Sequence, residues 1–185
     1  VLCLGLDPSI EGEEGDASNE YGAGDKNHLR LPGLQQKLLE KVVAVGKPTI
    51  LVLASGSALA VNFAQEHCNA VVQSWYPGAL GGRAVAELLF GQYSPSGRLP
   101  VTFYKSEDDL PAFTDYAMEG RTYRYLHAIP LYPFGYGLSY AKFTCENLQL
   151  SAGSIASGDS IDATVTVRND SDILAATPVL FFLRD

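Results

Sequence analysis

At 185 residues the chain has room for one ordinary domain and the beginning of another. Its composition, 46% hydrophobic and 18% charged, is that of a globular protein, and a formal charge of −8 argues against nucleic acid or an anionic membrane surface as partner. A neutral or cationic small ligand fits that charge better, and no apolar run is long enough to span a bilayer.

The first stretch, Val1, Leu2, Leu4 and Leu6, reads as a buried strand ended by Asp7-Pro8, because proline removes a ladder donor. Directly after it, Glu11, Glu13, Glu14 and Asp16 crowd four carboxylates together. Carboxylates leaving the C-terminal end of a strand stand where open α/β sheets place functional groups, and their mutual repulsion raises at least one pKa, as a general acid requires. A solvated acidic loop is the plain alternative. Ala17 to Asn27 continues as a long polar loop. Leu31-Pro32-Gly33 opens a helix with Leu34, Leu38, Val42 and Val45 at helical spacing and Gly46 as its cap. Thr49 to Ala54 is an apolar run expected as a strand buried on both faces. Ser55-Gly56-Ser57 turns it into a second helix, Ala58 to Glu66, whose start the serines cap, with Leu59, Phe63 and Ala60 inward. Ala70 to Trp75 is the next strand, Tyr76 to Gly82 a loop, and Arg83 to Phe90 a short helix. This alternation predicts an α/β fold, a mostly parallel sheet covered by helices on both faces.

From Gln92 to Tyr140 the chain is rich in proline, glycine and tyrosine and is expected to be irregular, apart from a brief strand at Val101 to Tyr104. After Lys142 the period changes to two: Ile161, Ala163, Val165 and Val167 alternate with polar residues, and Leu148 to Leu150 and Val179 to Leu183 give two further candidate strands. A sandwich of the immunoglobulin or fibronectin kind needs about seven strands, and roughly three are legible here. The expected division is 1–140 for the α/β domain and 141–185 for a partial all-β one.

Most motifs fail on inspection. Ser55 and Ser57 lack the flanking glycines of a nucleophile elbow, and Gly135-Tyr136-Gly137 lacks the third glycine of a dinucleotide fingerprint. Asp16 to Asn27 resembles a calcium loop, but Tyr21 replaces the turn glycine and Asn27 the terminal glutamate. His28, His67 and His127 are isolated from one another in sequence. No cofactor or metal is therefore expected. Cys3, Cys68 and Cys145 are odd in number and far apart, fitting neither a disulfide framework nor zinc, and they lean an otherwise unspecified compartment toward a reducing, cytoplasmic one. Asn169-Asp170-Ser171 is a glycosylation sequon that matters only in a secretory context. The start inside an apolar run without an initiator methionine is what a piece of a longer protein would have.

Several blocks occur together and in order: Gly5-Leu6-Asp7-Pro8-Ser9-Ile10-Glu11-Gly12-Glu13, Leu31-Pro32-Gly33-Leu34-Gln35, Lys47-Pro48-Thr49-Ile50-Leu51-Val52-Leu53, Trp75-Tyr76-Pro77-Gly78, Phe90 to Pro100, and Pro133-Phe134-Gly135-Tyr136-Gly137-Leu138-Ser139-Tyr140. This series resembles family 3 glycoside hydrolases, and with Gly120 to Tyr125 it is most similar to their β-xylosidase and α-arabinofuranosidase branch, with the β-glucosidases next. The resemblance implies a catalytic barrel, then an α/β sandwich, then a fibronectin type III-like domain, of which this chain would hold the sandwich and the first strands of the third. It implies a retaining mechanism in which an aspartate of the absent N-terminal barrel of the same polypeptide is the nucleophile and a glutamate of a sandwich loop the acid/base. Glu13, with Asp16 three residues on, matches the family's loop pattern best, with Glu14 and then Glu11 as alternatives. Glu14 replaces a common glycine and Ala17 a common arginine. The substrate would be a glycoside or oligosaccharide ending in a β-xylosyl or β-glucosyl residue. A carbohydrate-binding or assembly domain that kept the fold without the chemistry is the other reading.

Overall fold

The computed structural model of the chain describes residues 1–12 and 26–184. Their contacts form two compact units, one of Val1–Ala86 with Leu99–Tyr136, the other of Glu87–Arg98 with the chain from Gly137 on.

The first unit is built on three parallel strands in the order β1 (Leu2–Gly5), β2 (Ile50–Ala54) and β3 (Ala70–Gln73). Leu2 stands opposite Leu51 and Leu4 opposite Leu53, so these four share one face, while Val52 points to the other. Leu51, Val52 and Leu53 are all buried, so β2 is covered on both faces, as its unbroken apolar run predicts. Around the Leu4, Leu51 and Leu53 face gather Leu31, Leu39, Leu59, Val61, Ala64, Phe103 and Tyr132. Gly5 ends β1 in a backbone conformation with φ of 139°, and a Cβ there would lie 1.9 Å from the Ala54 carbonyl oxygen. Only glycine permits that approach.

Helix α2 (Gln35–Val43) forms where expected, but its inward face is not the expected one. Leu39 is completely buried with Val43 packed against the core, whereas Leu34 is 71% and Leu38 47% exposed. The helix is turned so that Gln35 also points to the sheet. Its side chain accepts the Gly5 N–H at 2.8 Å and donates to the Gly5 carbonyl at 2.9 Å, satisfying both main-chain groups on the outer side of β1.

Several local expectations change. Asp7-Pro8 stops the strand but also starts a helical turn, α1 (Pro8–Glu11): Asp7 caps it by accepting from Ser9 and Ile10 N–H, and proline sits at the first position, where its missing N–H costs nothing. The second long helix is only α3 (Asn62–His67), and its serines do not cap it. Ser55 instead donates to the Ser57 carbonyl at 2.8 Å, and Leu59 and Val61 are buried ahead of the helix. Val101 to Tyr104 is not a strand, because Phe103 alone pairs, exchanging main-chain hydrogen bonds with Tyr132 at 2.8 and 3.1 Å. That pairing, with Leu99 bonded to Tyr136 and Gly135, folds the proline-rich stretch onto the core. Helix α4 (Gly81–Leu89) replaces the shorter helix read from Arg83, and a last helical turn, α5 (Thr122–Tyr125), follows within the irregular stretch.

In the second unit, β4 (Phe143–Leu150) and β5 (Ala163–Asn169) form an antiparallel hairpin with an irregularity between Glu146 and Gln149, where Asn147 has φ of 58°. Val179 to Leu183 does not add a strand to it. Ser94 accepts the Tyr140 N–H at 2.9 Å, the Tyr140 hydroxyl donates to the Leu88 carbonyl at 3.0 Å, and a Cβ on Gly137 would meet the Gly97 carbonyl at 2.5 Å. These contacts give Glu87–Arg98 its place with the C-terminal unit.

Candidate functional site

The three parallel strands deliver their following loops to one edge, the carboxyl edge of the sheet. β1 leads through Asp7 into α1 and so to Glu11. β2 leads to Gly56 and Ser57, and β3 leads through Trp75 to Tyr76. These loops converge on the Glu11 carboxylate. Its Oε2 accepts the Gly56 N–H at 2.8 Å and the Tyr76 hydroxyl, partners 45 and 65 residues away in sequence. Gly56 leaves room for this meeting, since a Cβ would come within 2.9 Å of both Glu11 Oε2 and the Tyr76 ring and would force one of them to shift. Trp75, with φ of 54°, turns the chain sharply and packs edge-on against Phe103, which sends Tyr76 toward Glu11.

Lys26 completes the arrangement. Its N–H donates to the Glu11 carbonyl at 3.1 Å, and its ammonium group donates to the Ala58 carbonyl at 2.9 Å. Burial opposes ionisation of Glu11, but the nearby Ser57 hydroxyl, the Tyr76 hydroxyl, the Gly56 N–H and the Lys26 charge together hold its pKa below the usual value. The Ser57 hydroxyl lies close to the carboxylate without a hydrogen bond of full geometry among the described residues, and Glu11 Oε1 is likewise buried without one there. Burial, and then the Glu11 carboxylate, push the Tyr76 hydroxyl up to about 12, so it stays a neutral donor. Burial lowers the Lys26 pKa against the pull of Glu11 and Glu107.

Of the sequence-predicted acids, Glu13, Glu14 and Asp16 lie outside the described residues. Glu11 lies inside, and its environment favours the charged form, the reverse of what a proton donor at neutral pH needs. Tyr76, Gly56 and Lys26 were not legible as site residues. The Trp75-Tyr76-Pro77-Gly78 block reads as a turn, and only the aromatic hydroxyl following a strand end hinted at more. Among the described residues no group of three His, Cys, Asp or Glu is gathered to hold a metal ion, and no helix is long and apolar enough to cross a membrane.

Residues 1–140 match the glycosyl hydrolase family 3 C-terminal domain. The chain belongs to glycosyl hydrolase family 3. It is 45% identical over 167 residues to a xylan 1,4-β-xylosidase of Xylanibacter ruminicola, covering 90% of this chain and 19% of that protein. A periplasmic β-glucosidase of Salmonella typhimurium is 34% identical over 189 residues, covering 96% of this chain and 24% of the relative. Among solved structures, a β-glucosidase from Erythrobacter marinus superposes with a TM-score of 0.75 at 38% identity, over 92% of this chain and 22% of that one. One from Listeria innocua in complex with gluconolactone superposes at 0.73 and 31% identity, over 95% and 25%. The family 3 chain thus spans about a fifth to a quarter of these relatives, and its parallel sheet with intervening helices is the α/β sandwich of the family.

Proposed function

We propose that the protein to which this chain belongs is a retaining, exo-acting β-glycosidase that removes terminal β-xylosyl or β-glucosyl residues, with Glu13 as its acid/base. Residues 1–140 form the sandwich domain in this reading, and 141–185 begin a fibronectin type III-like domain, with the β4–β5 hairpin as its first strands. The single observation that carries the proposal is the 45% identity to a xylan 1,4-β-xylosidase across 90% of the chain. Three strand ends converging on Glu11, two residues before Glu13 in the sequence, add to it. Retention needs two carboxyl groups about 5 to 5.5 Å apart flanking the anomeric carbon, one to attack and one to protonate the leaving oxygen. A barrel domain of the same polypeptide would supply the attacking aspartate. The sandwich would supply the proton to the departing alkoxide and then take one from the water that hydrolyses the glycosyl-enzyme.

The test uses the complete polypeptide. A poor leaving group needs a proton in the transition state, whereas a nitrophenolate hardly does. Glu13→Ala is expected to slow cleavage of an unactivated disaccharide by roughly 10²- to 10⁴-fold and that of a nitrophenyl glycoside much less. With the base also lost, azide is expected to restore turnover of the activated substrate and to leave a glycosyl azide of retained configuration. Glu14→Ala showing both effects while Glu13→Ala shows neither would move the acid to Glu14.

A further inference from the structure

The proposed acid stands in a segment whose two ends are both described, and both are held by the same residue. At the N-terminal end Glu11 is fixed by its place in α1, which Asp7 caps through Ser9 and Ile10. At the C-terminal end the Lys26 N–H is bonded to the Glu11 carbonyl, and the Lys26 ammonium to the Ala58 carbonyl beyond β2. The Glu11 carboxylate then ties this junction to the loops after β2 and β3, through Gly56 and Tyr76. One residue therefore joins the ends of the segment to each other by its main chain and to the sheet edge by its side chain. A solvated member of an acidic cluster would have no such partners, and a proton donor would not be held in the charged form by so many of them.

We infer that Glu11 is a positioning residue for the reaction, acting with Tyr76 and Lys26 to fix the anchor points between which Glu13 is carried. The inference rests on the glycosidase reading above. An acid held out of line by even about 1 Å loses on the order of 10²-fold in rate, so the effect of the pair is expected in turnover rather than in substrate binding.

The experiment compares Tyr76→Phe, Glu11→Gln and the double variant in the complete polypeptide. Tyr76→Phe keeps the ring and removes only the hydroxyl, so it guards against a variant that merely fails to fold. Each single variant is expected to lower kcat on an unactivated disaccharide by about 10- to 100-fold, with KM nearly unchanged and a smaller loss on a nitrophenyl glycoside. The double variant is expected to be no slower than the slower single one, because one hydrogen-bonded unit has been removed. No glycosyl azide should form. Amide exchange at Lys26, read by NMR independently of activity, should quicken in all three. Unchanged exchange at Lys26, losses that multiply in the double variant, or a glycosyl azide from Glu11→Gln would each overturn the inference, the last by making Glu11 the acid itself. A wild-type protein without glycosidase activity would bring down the functional reading alone, since the exchange measurement still decides the anchoring.

Discussion

Glu11 is a carboxylate that the fold prefers ionised, and this gives it a signature in stability. Its folded pKa lies below that of an ordinary glutamate, so its contribution is fully present above the unfolded pKa and is lost as pH falls through the folded one. The urea midpoint of the wild-type chain is therefore expected to drop more steeply below about pH 4.5 than that of Glu11→Gln, which has no proton to gain there. Parallel slopes for the two proteins would remove Glu11 from the acid response. The sequence displays Glu11 as one of four clustered carboxylates, and its resemblance block marks the neighbourhood. It could not single out the residue, because what separates Glu11 from its neighbours is contact with Gly56 and Tyr76, 45 and 65 positions away. Local spacing carries no information about such partners. Lys26 is equally silent, being one cation at the end of a polar loop.

At the scale of elements, the strands were the most legible. Thr49 to Ala54 has the length and β-branched content of a doubly covered strand, and Ile50–Ala54 is one. Helix α2 was legible as a helix but not in its rotation, because two apolar stripes interleave on it. The stripe through Leu34 and Leu38 faces outward, and the one through Leu39 and Val43 packs inward, where Gln35 also meets the β1 edge. Periodicity counts both stripes alike, and only the demand of Gly5 for main-chain partners distinguishes them. The two leucines should thus behave oppositely in thermal or urea unfolding. Leu39→Ala is expected to cost about 2 to 5 kcal/mol, as for a fully buried leucine, and Leu38→Ala about 0.5 kcal/mol or less, as at a surface position. Comparable losses at both would mean that the rotation of α2 is misread. The helical turn α1 escaped the sequence reading for a different reason: Asp-Pro ends strands and begins helices with equal chemistry, and one turn is too short to show a period.

For the whole molecule, sequence texture separated an α/β part from a period-two part, and the hairpin of β4 and β5 follows that pattern. The third expected strand, Val179 to Leu183, is apolar enough but adds no strand to the hairpin. Two strands also leave side chains such as Leu148 and Leu150 more than half exposed. The chain spans 19% of its xylosidase relative, and the proposed double displacement needs a second carboxylate from elsewhere in the polypeptide. Purified residues 1–185 are accordingly expected to release no nitrophenol from a nitrophenyl xyloside or glucoside above the buffer rate, and protein-dependent turnover would refute the two-domain chemistry. The bond between Lys26 and the Glu11 carbonyl has a further consequence. Because Glu11 and Lys26 meet through main-chain atoms, their junction does not depend on which side chains lie between them in sequence, and doubling a loop adds only about 0.6 kcal/mol of closure cost. Evolution or an engineer can therefore exchange the residues between Glu11 and Lys26 as a cartridge while the three-stranded scaffold is inherited unchanged.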